Sequence, residues 1–426
     1  MKGLLTMLIK KYKIKNAFYL AIAYFLMIFN YYYVISEEFS YLGFLNTEYS
    51  IIKFIQIFPL TLIMISLVVF MKNEFYRLVY AILIVIFYFG QSIYYIYNNS
   101  YFIIVIYMLL PNIFLFVLDL IDNKKNFKRN IIILDKKKSR QIFVILIIIL
   151  TLPYLKYIKF IDISNLLMKN INETRIAFRN INMGILGYAI SAHVRVIIPF
   201  LACYAIKNKK YMLMILSFLL SIITFLLTGA VKSYIIGFAI VIFFAFGNYR
   251  KKENNFCKYL ILGNIVGLLE YWGLGRYFIN DYMRRVFFVP SYLFDVYYET
   301  FKNNFTFFSH SKIARILGIN TYSNSLSMYI GENIIGEAGL NANVGIFTEG
   351  YLSFGTLGVV IMALIFILIV LYFKKLNMQD AYIGIFIAYL YVLNTSFFEL
   401  LLITHGLAFL IIFSYFFIPK NEEKLE

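Results

Sequence analysis

Apolar residues in this chain cluster in long unbroken runs instead of recurring on one side of an amphipathic helix. A helix needs about 17 to 25 such residues to cross the hydrocarbon core of a bilayer. The pattern predicts twelve spans: Ala17 to Ile35, Ser50 to Met71, Tyr76 to Tyr97, Tyr101 to Ile121, Gln141 to Ile158, Met183 to Ile206, Tyr211 to Thr228, Val231 to Phe246, Tyr259 to Gly273, Phe354 to Phe373, Ala381 to Phe397 and Leu400 to Ile418. The expected fold class is all-α, a polytopic membrane protein with about twelve transmembrane helices. The first run follows "MKGLLTMLIKKYKIKN", which resembles the charged start of a signal peptide. It is of full span length and lacks a small-x-small cleavage site, so it reads as a retained first helix.

The connections alternate in character. "KKYKIKN", "KNEFYR", "DNKKNFKRNIIILDKKKSR", "KNKK", "GNYRKKENNFCK", "KKLNMQD" and the tail "KNEEKLE" are rich in lysine. Basic connections mark the cytoplasmic side, which places both termini in the cytoplasm of an inner or plasma membrane. Composition agrees: of 426 residues, 62% are hydrophobic and only 15% charged, far from the usage of soluble domains. No long polar block interrupts the spans, so residues 1–426 read as one integral membrane domain. The net charge of +18 raises nucleic acid as a partner, but its distribution is that of topology and a lipid-headgroup collar. Cys203 and Cys257 fall at cytosolic span ends and read as inert.

Outside the basic connections seven arginines remain: Arg175, Arg179, Arg195, Arg276, Arg284, Arg285 and Arg315. The connections themselves hold only Arg77, Arg129, Arg140 and Arg250. Lysine serves topology equally well, so guanidinium groups on the other side point to bidentate binding of phosphate or carboxylate. Arg195 is the sharpest case. It lies mid-span in "MGILGYAISAHVRVIIPFLACYAI", where an arginine costs about 2.5 to 3.5 kcal/mol on insertion scales. It serves either a functional cavity or an intramembrane structural charge. Pro199 follows four positions later, so a kink that opens a polar pocket is expected there. His193 falls on a different helix face and reads as structural or accessory. Lys232, in the turn "TGAVKS", suits snorkelling and substrate contact equally.

Two external segments are long. "KFIDISNLLMKNINETRIAFRNIN" places Arg175 and Arg179 at i, i+4, so on a helix both share one face and suit one diphosphate; the alternative is a surface helix in which Glu173 is the partner. The second segment, 274–353, precedes the tenth helix and is too long for a passive connection. It is expected to fold as a cap over the outer face. Within it, "YMRRVFFVPSYLFDVYYETF" has the alternation of an amphipathic helix lying among headgroups. Arg284 and Arg285, being adjacent, are not expected to face one side. "FTFFSHSKIARILGINTYSNS" adds His310 and Arg315. No nucleotide loop, zinc spacing or nucleophile elbow is present, so no cofactor and no metal are expected.

The cap ends in "NANVGIFTEGYLSFGTLG". An Asn-x-Asn pair, an acidic residue and then Tyr-x-x-Phe-Gly-x-x-Gly opening an apolar helix resembles the Wzy-type oligosaccharide repeat-unit polymerases of O-antigen and capsule assembly. Asn341, Asn343, Glu349, Tyr351, Phe354, Gly355 and Gly358 stand at the matching positions. The resemblance implies a glycosyltransferase that moves a growing glycan from undecaprenyl diphosphate onto a fresh undecaprenyl-diphosphate-linked repeat unit at the external membrane face. The partners it implies are that lipid-linked oligosaccharide, membrane lipids, a chain-length regulator and a flippase, with no nucleic acid. The leaving diphosphate calls for fixed cations, and the acceptor hydroxyl for a base; Glu349, Glu337 and His310 are the candidates. Glu349, His310 and Arg195 are expected to be catalytic. Arg175, Arg179, Lys232, Arg284, Arg285, Arg315, Asn341, Asn343 and Tyr351 are expected to bind diphosphate and glycan. Glycines at 345, 350 and 355 let the backbone bend or pack closely where it re-enters the membrane. The Arg-x10-Gly pattern that describes some members is missing from the cap and from the first external segment. A lipid-linked oligosaccharide flippase, an O-antigen ligase and a solute transporter are the alternative readings.

Overall fold

A helix that is apolar on every side has no face to offer water and must be covered by protein or lipid. In the computed structural model, which describes residues 2–122, 125–129, 131–132, 137–152, 154, 157–158, 164–165, 174, 186–228, 231–319, 322 and 325–421, helix is the only extended regular structure among the described residues. Among the described residues six helices are long and apolar enough to cross a membrane: Lys11–Glu38, Ile51–Phe70, Glu74–Tyr97, Phe102–Ile121, Gly187–Lys207 and Ile346–Lys375. The protein is therefore membrane-embedded. Tyr211–Leu227, Lys232–Ala245, Asp380–Leu393 and Leu407–Phe417 are apolar but shorter. The predicted run 381–397 is cut short by the polar stretch from Asn394, and Gly406, with φ of 78°, stands directly before the last helix.

Internal contacts divide the chain into two units. The first comprises Met1–Lys124, Tyr249–Leu371 and Leu393–Phe397. Its centre is the Glu74–Tyr97 helix, buried along nearly its whole length among Ile51–Phe70, Phe102–Ile121, Tyr249–Leu274 and the 284–301 segment. Tyrosine hydroxyls buried in this core have partners: Tyr80 donates to the Met64 carbonyl and Tyr88 bonds to Thr61. Arg77 Nε meets Glu253 Oε2 at 2.7 Å, and Asn16 Nδ2 donates to Glu253 Oε1 at 2.8 Å. One buried carboxylate thus ties three helices together, and Arg77 belongs to packing, not to a headgroup collar. Midway, a π-helical turn at Ile84–Phe89 faces a second at Arg284–Phe288. Gly90 permits this meeting, because a Cβ there would lie 2.0 Å from the Phe287 carbonyl oxygen.

That contact changes the reading of "YMRRVFFVPSYLFDVYYETF". The expected headgroup-lying helix instead turns Arg284, Phe288, Phe294, Asp295 and Tyr297 inward, all of them buried. The apolar face is claimed by the Glu74–Tyr97 helix.

The second unit comprises Lys125–Asn248, Tyr372–Val392 and Phe398–Glu426. Phe200 sits at its aromatic centre, within 5.6 Å of the ring centroids of Phe143, Tyr382 and Phe413. Pro199 disturbs its helix as expected: the turn before it, His193–Ile197, is π-helical, a local widening that frees carbonyls the proline cannot serve.

Candidate functional site

Two adjacent arginines project about 100° apart on an α-helix, yet Arg284 and Arg285 converge on one carboxylate. Asp281, one turn earlier, accepts from Arg284 Nη2 at 2.6 Å through Oδ1 and from Arg285 Nε at 3.0 Å through Oδ2. The two cations thus carry one compensating charge, leaving a net positive group. Arg284 is fixed flat over Phe39, 4.3 Å from its centroid, with its Nε buried and without a hydrogen-bond partner. Arg285 is 55% exposed. Both line an open cleft of about 790 Å³, whose other walls include Tyr41, Tyr292, Glu337 and Asn341. Ligand sites fall in this size range. Glu337 and Asn341 are both exposed. The cleft therefore offers an oriented guanidinium donor for an anion, a carboxylate able to accept a proton, and tyrosine faces suited to sugar rings.

The expected base Glu349 lies elsewhere in this unit. The Ile346–Lys375 segment breaks at Phe354 and Gly355, the latter at φ 62°, and every residue from Ile346 to Ser353 is buried. Glu349 Oε1 stands 3.4 Å from His310 Nε2, and His310 Nδ1 is 3.0 Å from Thr306 Oγ1. Phe308 and Phe397 cover the imidazole, with centroids 6.0 and 5.1 Å away. Glu349 and His310, both expected to be catalytic, are thus buried together where backbone bonds from Thr306 and Phe307 to the Leu352 and Ser353 carbonyls hold the 305–310 turn against the helix break. That turn is strained: Phe307 and Phe308 have φ of 48° and 61°, a conformation that bulky residues rarely adopt. Neither Glu349 nor His310 lines the cleft.

The remaining candidates separate. Tyr351 is buried in an aromatic cluster, stacked on Tyr298 at 4.7 Å, so its ring is occupied by protein. Asn343 and Arg315 are exposed, and neither lines the cleft. In the second unit Arg195 is half-buried, with its guanidinium 4.9 Å from the Tyr234 centroid and Nη2 donating to Ser233 Oγ at 3.4 Å. The cavity beside it measures about 10 Å³, enough for one water at most. The roomy pocket expected from the kink is filled by Tyr234 and Tyr389. His193 bonds to Tyr154 through Nδ1 at 3.2 Å, the structural role expected of it. Lys232 is half-buried at the start of its helix. Arg175 and Arg179 lie outside the described residues.

Comparison with family models, curated proteins and solved structures yields no match for the chain. Asp281, Tyr41 and Tyr292 are not among the residues expected from the sequence, and Glu337 is there one of three candidate bases but not among the residues expected to be catalytic. The i, i+3 and i, i+4 spacing of Asp281 to the arginine pair was the available signal; the contribution of Tyr41, far away in sequence, left none.

Proposed function

We propose that this protein polymerises lipid-linked oligosaccharide repeat units at the external face of the membrane, in the twelve-span arrangement with both termini in the cytoplasm. The observation that supports this reading is the Arg284–Asp281–Arg285 cluster on the wall of a cleft that also presents Glu337 and Asn341. In the proposed reaction the acceptor hydroxyl oxygen bonds to the anomeric carbon of the donor glycan. The bond from that carbon to the diphosphate oxygen breaks, and the electron pair leaves on the lipid diphosphate. Arg285 stabilises that charge through Nη donors that have no protein partner among the described residues. The hydroxyl proton passes to the Glu337 carboxylate, the candidate base that faces the cleft. Glu349 and His310 then hold the helix break that supports the cap.

The test is reconstitution of the purified protein with undecaprenyl-diphosphate-linked repeat units on the outer leaflet, read as products on a gel. A ladder is expected, falling about 10²–10³-fold in rate for Arg285→Ala, as for loss of an oxyanion donor, and strongly for Glu337→Gln. Folded protein that forms no ladder while moving repeat units between leaflets would make it a transporter. A ladder undiminished in both variants would place the chemistry outside this cleft.

A further inference from the structure

A helix C-terminus leaves carbonyls without donors and carries the negative end of the dipole, so an anion is unwelcome there unless the protein intervenes. Arg129 intervenes in the second unit. Its Nε donates to the Leu376 carbonyl at 3.1 Å, and Nη1 to the carbonyls of Ser414 at 2.6 Å and Ile418 at 2.7 Å. One buried guanidinium thereby satisfies the ends of the helices that finish at Lys375 and Phe417. Its Nη2 is also buried and has no partner. Phe127 and Ile132 on either side of it are fixed by backbone bonds to the Lys375 carbonyl at 2.9 Å and to the Phe416 carbonyl at 2.8 Å.

Beside this framework lies a cleft of about 930 Å³. Lys125, Lys128 and Lys420 line it together with Arg129, and no carboxylate is among its described lining residues. The three lysines are exposed and form no ion pair with the described residues. Phe127 and Phe416, also in the lining, are 43% and 44% exposed. Ile412, one turn before Phe416 and therefore on the same face, is 61% exposed. Cations over a neutralised helix terminus, beside an apolar stripe running back along the helix, fit an amphiphile better than a free anion. Basic pockets at the ends of membrane helices take acidic headgroups in this way.

We infer that this cleft binds the headgroup phosphate of an anionic membrane lipid, with acyl chain laid along Phe416 and Ile412. The site is separate from the glycan cleft and does not depend on what that cleft does. The test is native mass spectrometry of the full-length protein titrated with phosphatidylglycerol, phosphatidylcholine or inorganic phosphate. The variant Lys125→Gln/Lys128→Gln/Lys420→Gln is compared with a charge-matched control, Lys11→Gln/Lys15→Gln/Lys258→Gln, at three other exposed lysines. Arg129 stays intact because it holds the helix ends. The cleft variant should lose on the order of 100-fold in phosphatidylglycerol affinity, the scale of three juxtamembrane lysines. The control should lose less than about twofold, and phosphatidylcholine binding should not move. Equal losses in the two variants would make binding a property of the whole basic collar. Displacement of lipid by inorganic phosphate at equal concentration would make the ligand a free anion. Either result, or no preference over phosphatidylcholine, overturns the inference.

Discussion

A carboxyl group held out of water resists ionisation, and Asp295 is such a group. Its Oδ1 accepts from the Ser100 hydroxyl at 2.8 Å while Oδ2 is buried without a partner. Burial raises its pKa from 3.8 to about 7, offset in part by Ser100, Gln91 and Lys53. Between those values the folded protein keeps a proton that the unfolded chain releases, so stability falls as pH rises through this window. The loss is on the order of 2–4 kcal/mol for a shift of this size. Asp295→Asn keeps the shape without the charge, so its unfolding midpoint should be nearly flat from pH 4.5 to 8 while that of the wild type declines. Parallel curves would acquit Asp295. In the sequence this residue reads as one polar position in an alternating amphipathic run, because burial by a helix some two hundred positions earlier leaves no local mark. The cleft arginines were legible by residue type, and their sharing of Asp281 only through its i, i+3 and i, i+4 spacing.

At the scale of elements, the motif "EGYLSFGTLG" carries a sharp reversal. In an unbroken helix Gly350 and Gly358 would stand about 12 Å apart, but a Cβ on Gly358 would fall 1.9 Å from the Gly350 carbonyl oxygen. The two halves fold backbone to backbone, and Phe305 closes over Gly355, where a Cβ would meet its ring at 2.7 Å. Gly358→Ala should therefore cost more than about 3 kcal/mol, since a backbone clash has nothing soft to yield. Gly355→Ala should cost on the order of 1–3 kcal/mol through its positive φ. Gly237→Ala, in open space within the Lys232–Ala245 helix, should gain about 0.5–1 kcal/mol. Thermal unfolding of the three purified variants orders them, and a harmless Gly358→Ala would mean the halves do not touch. The sequence showed the bend through its glycines. It hid the clamp, because Phe307 and Phe308 take left-handed conformations that no propensity assigns to phenylalanine.

For the whole molecule the open quantity is parity. Four of the helices long enough to span precede Lys125; in the proposed arrangement they return the chain at residue 125 to the side on which the first of them starts. Between Lys125 and the cap the pattern predicts five spans, an odd number that carries the cap across the membrane. Gly187–Lys207 alone among the described helices there is both long and apolar enough to span; Tyr249–Leu274, which carries the predicted run 259–273, has the length at 26 residues but does not qualify. Tyr211–Leu227 and Lys232–Ala245 have 17 and 14 residues, about 26 and 21 Å against a hydrocarbon core near 30 Å. Hydrophobic runs were legible because lipid demands them, but the count of crossings depends on whether such short helices thin the bilayer around them, a cost of fractions of a kcal/mol per Å. The twelve-span arrangement we propose has them cross, in keeping with connections at the two ends of this stretch that differ in basicity. Cys203 and Cys257 are buried, so single new thiols report against a quiet background. Ile316→Cys, at a position 84% exposed, should react with a membrane-impermeant maleimide on intact cells, and Lys125→Cys only after permeabilisation. If both thiols label only after permeabilisation, the number of crossings between them is even, the cap lies in the cytoplasm, and polymerisation at the external face is lost with it.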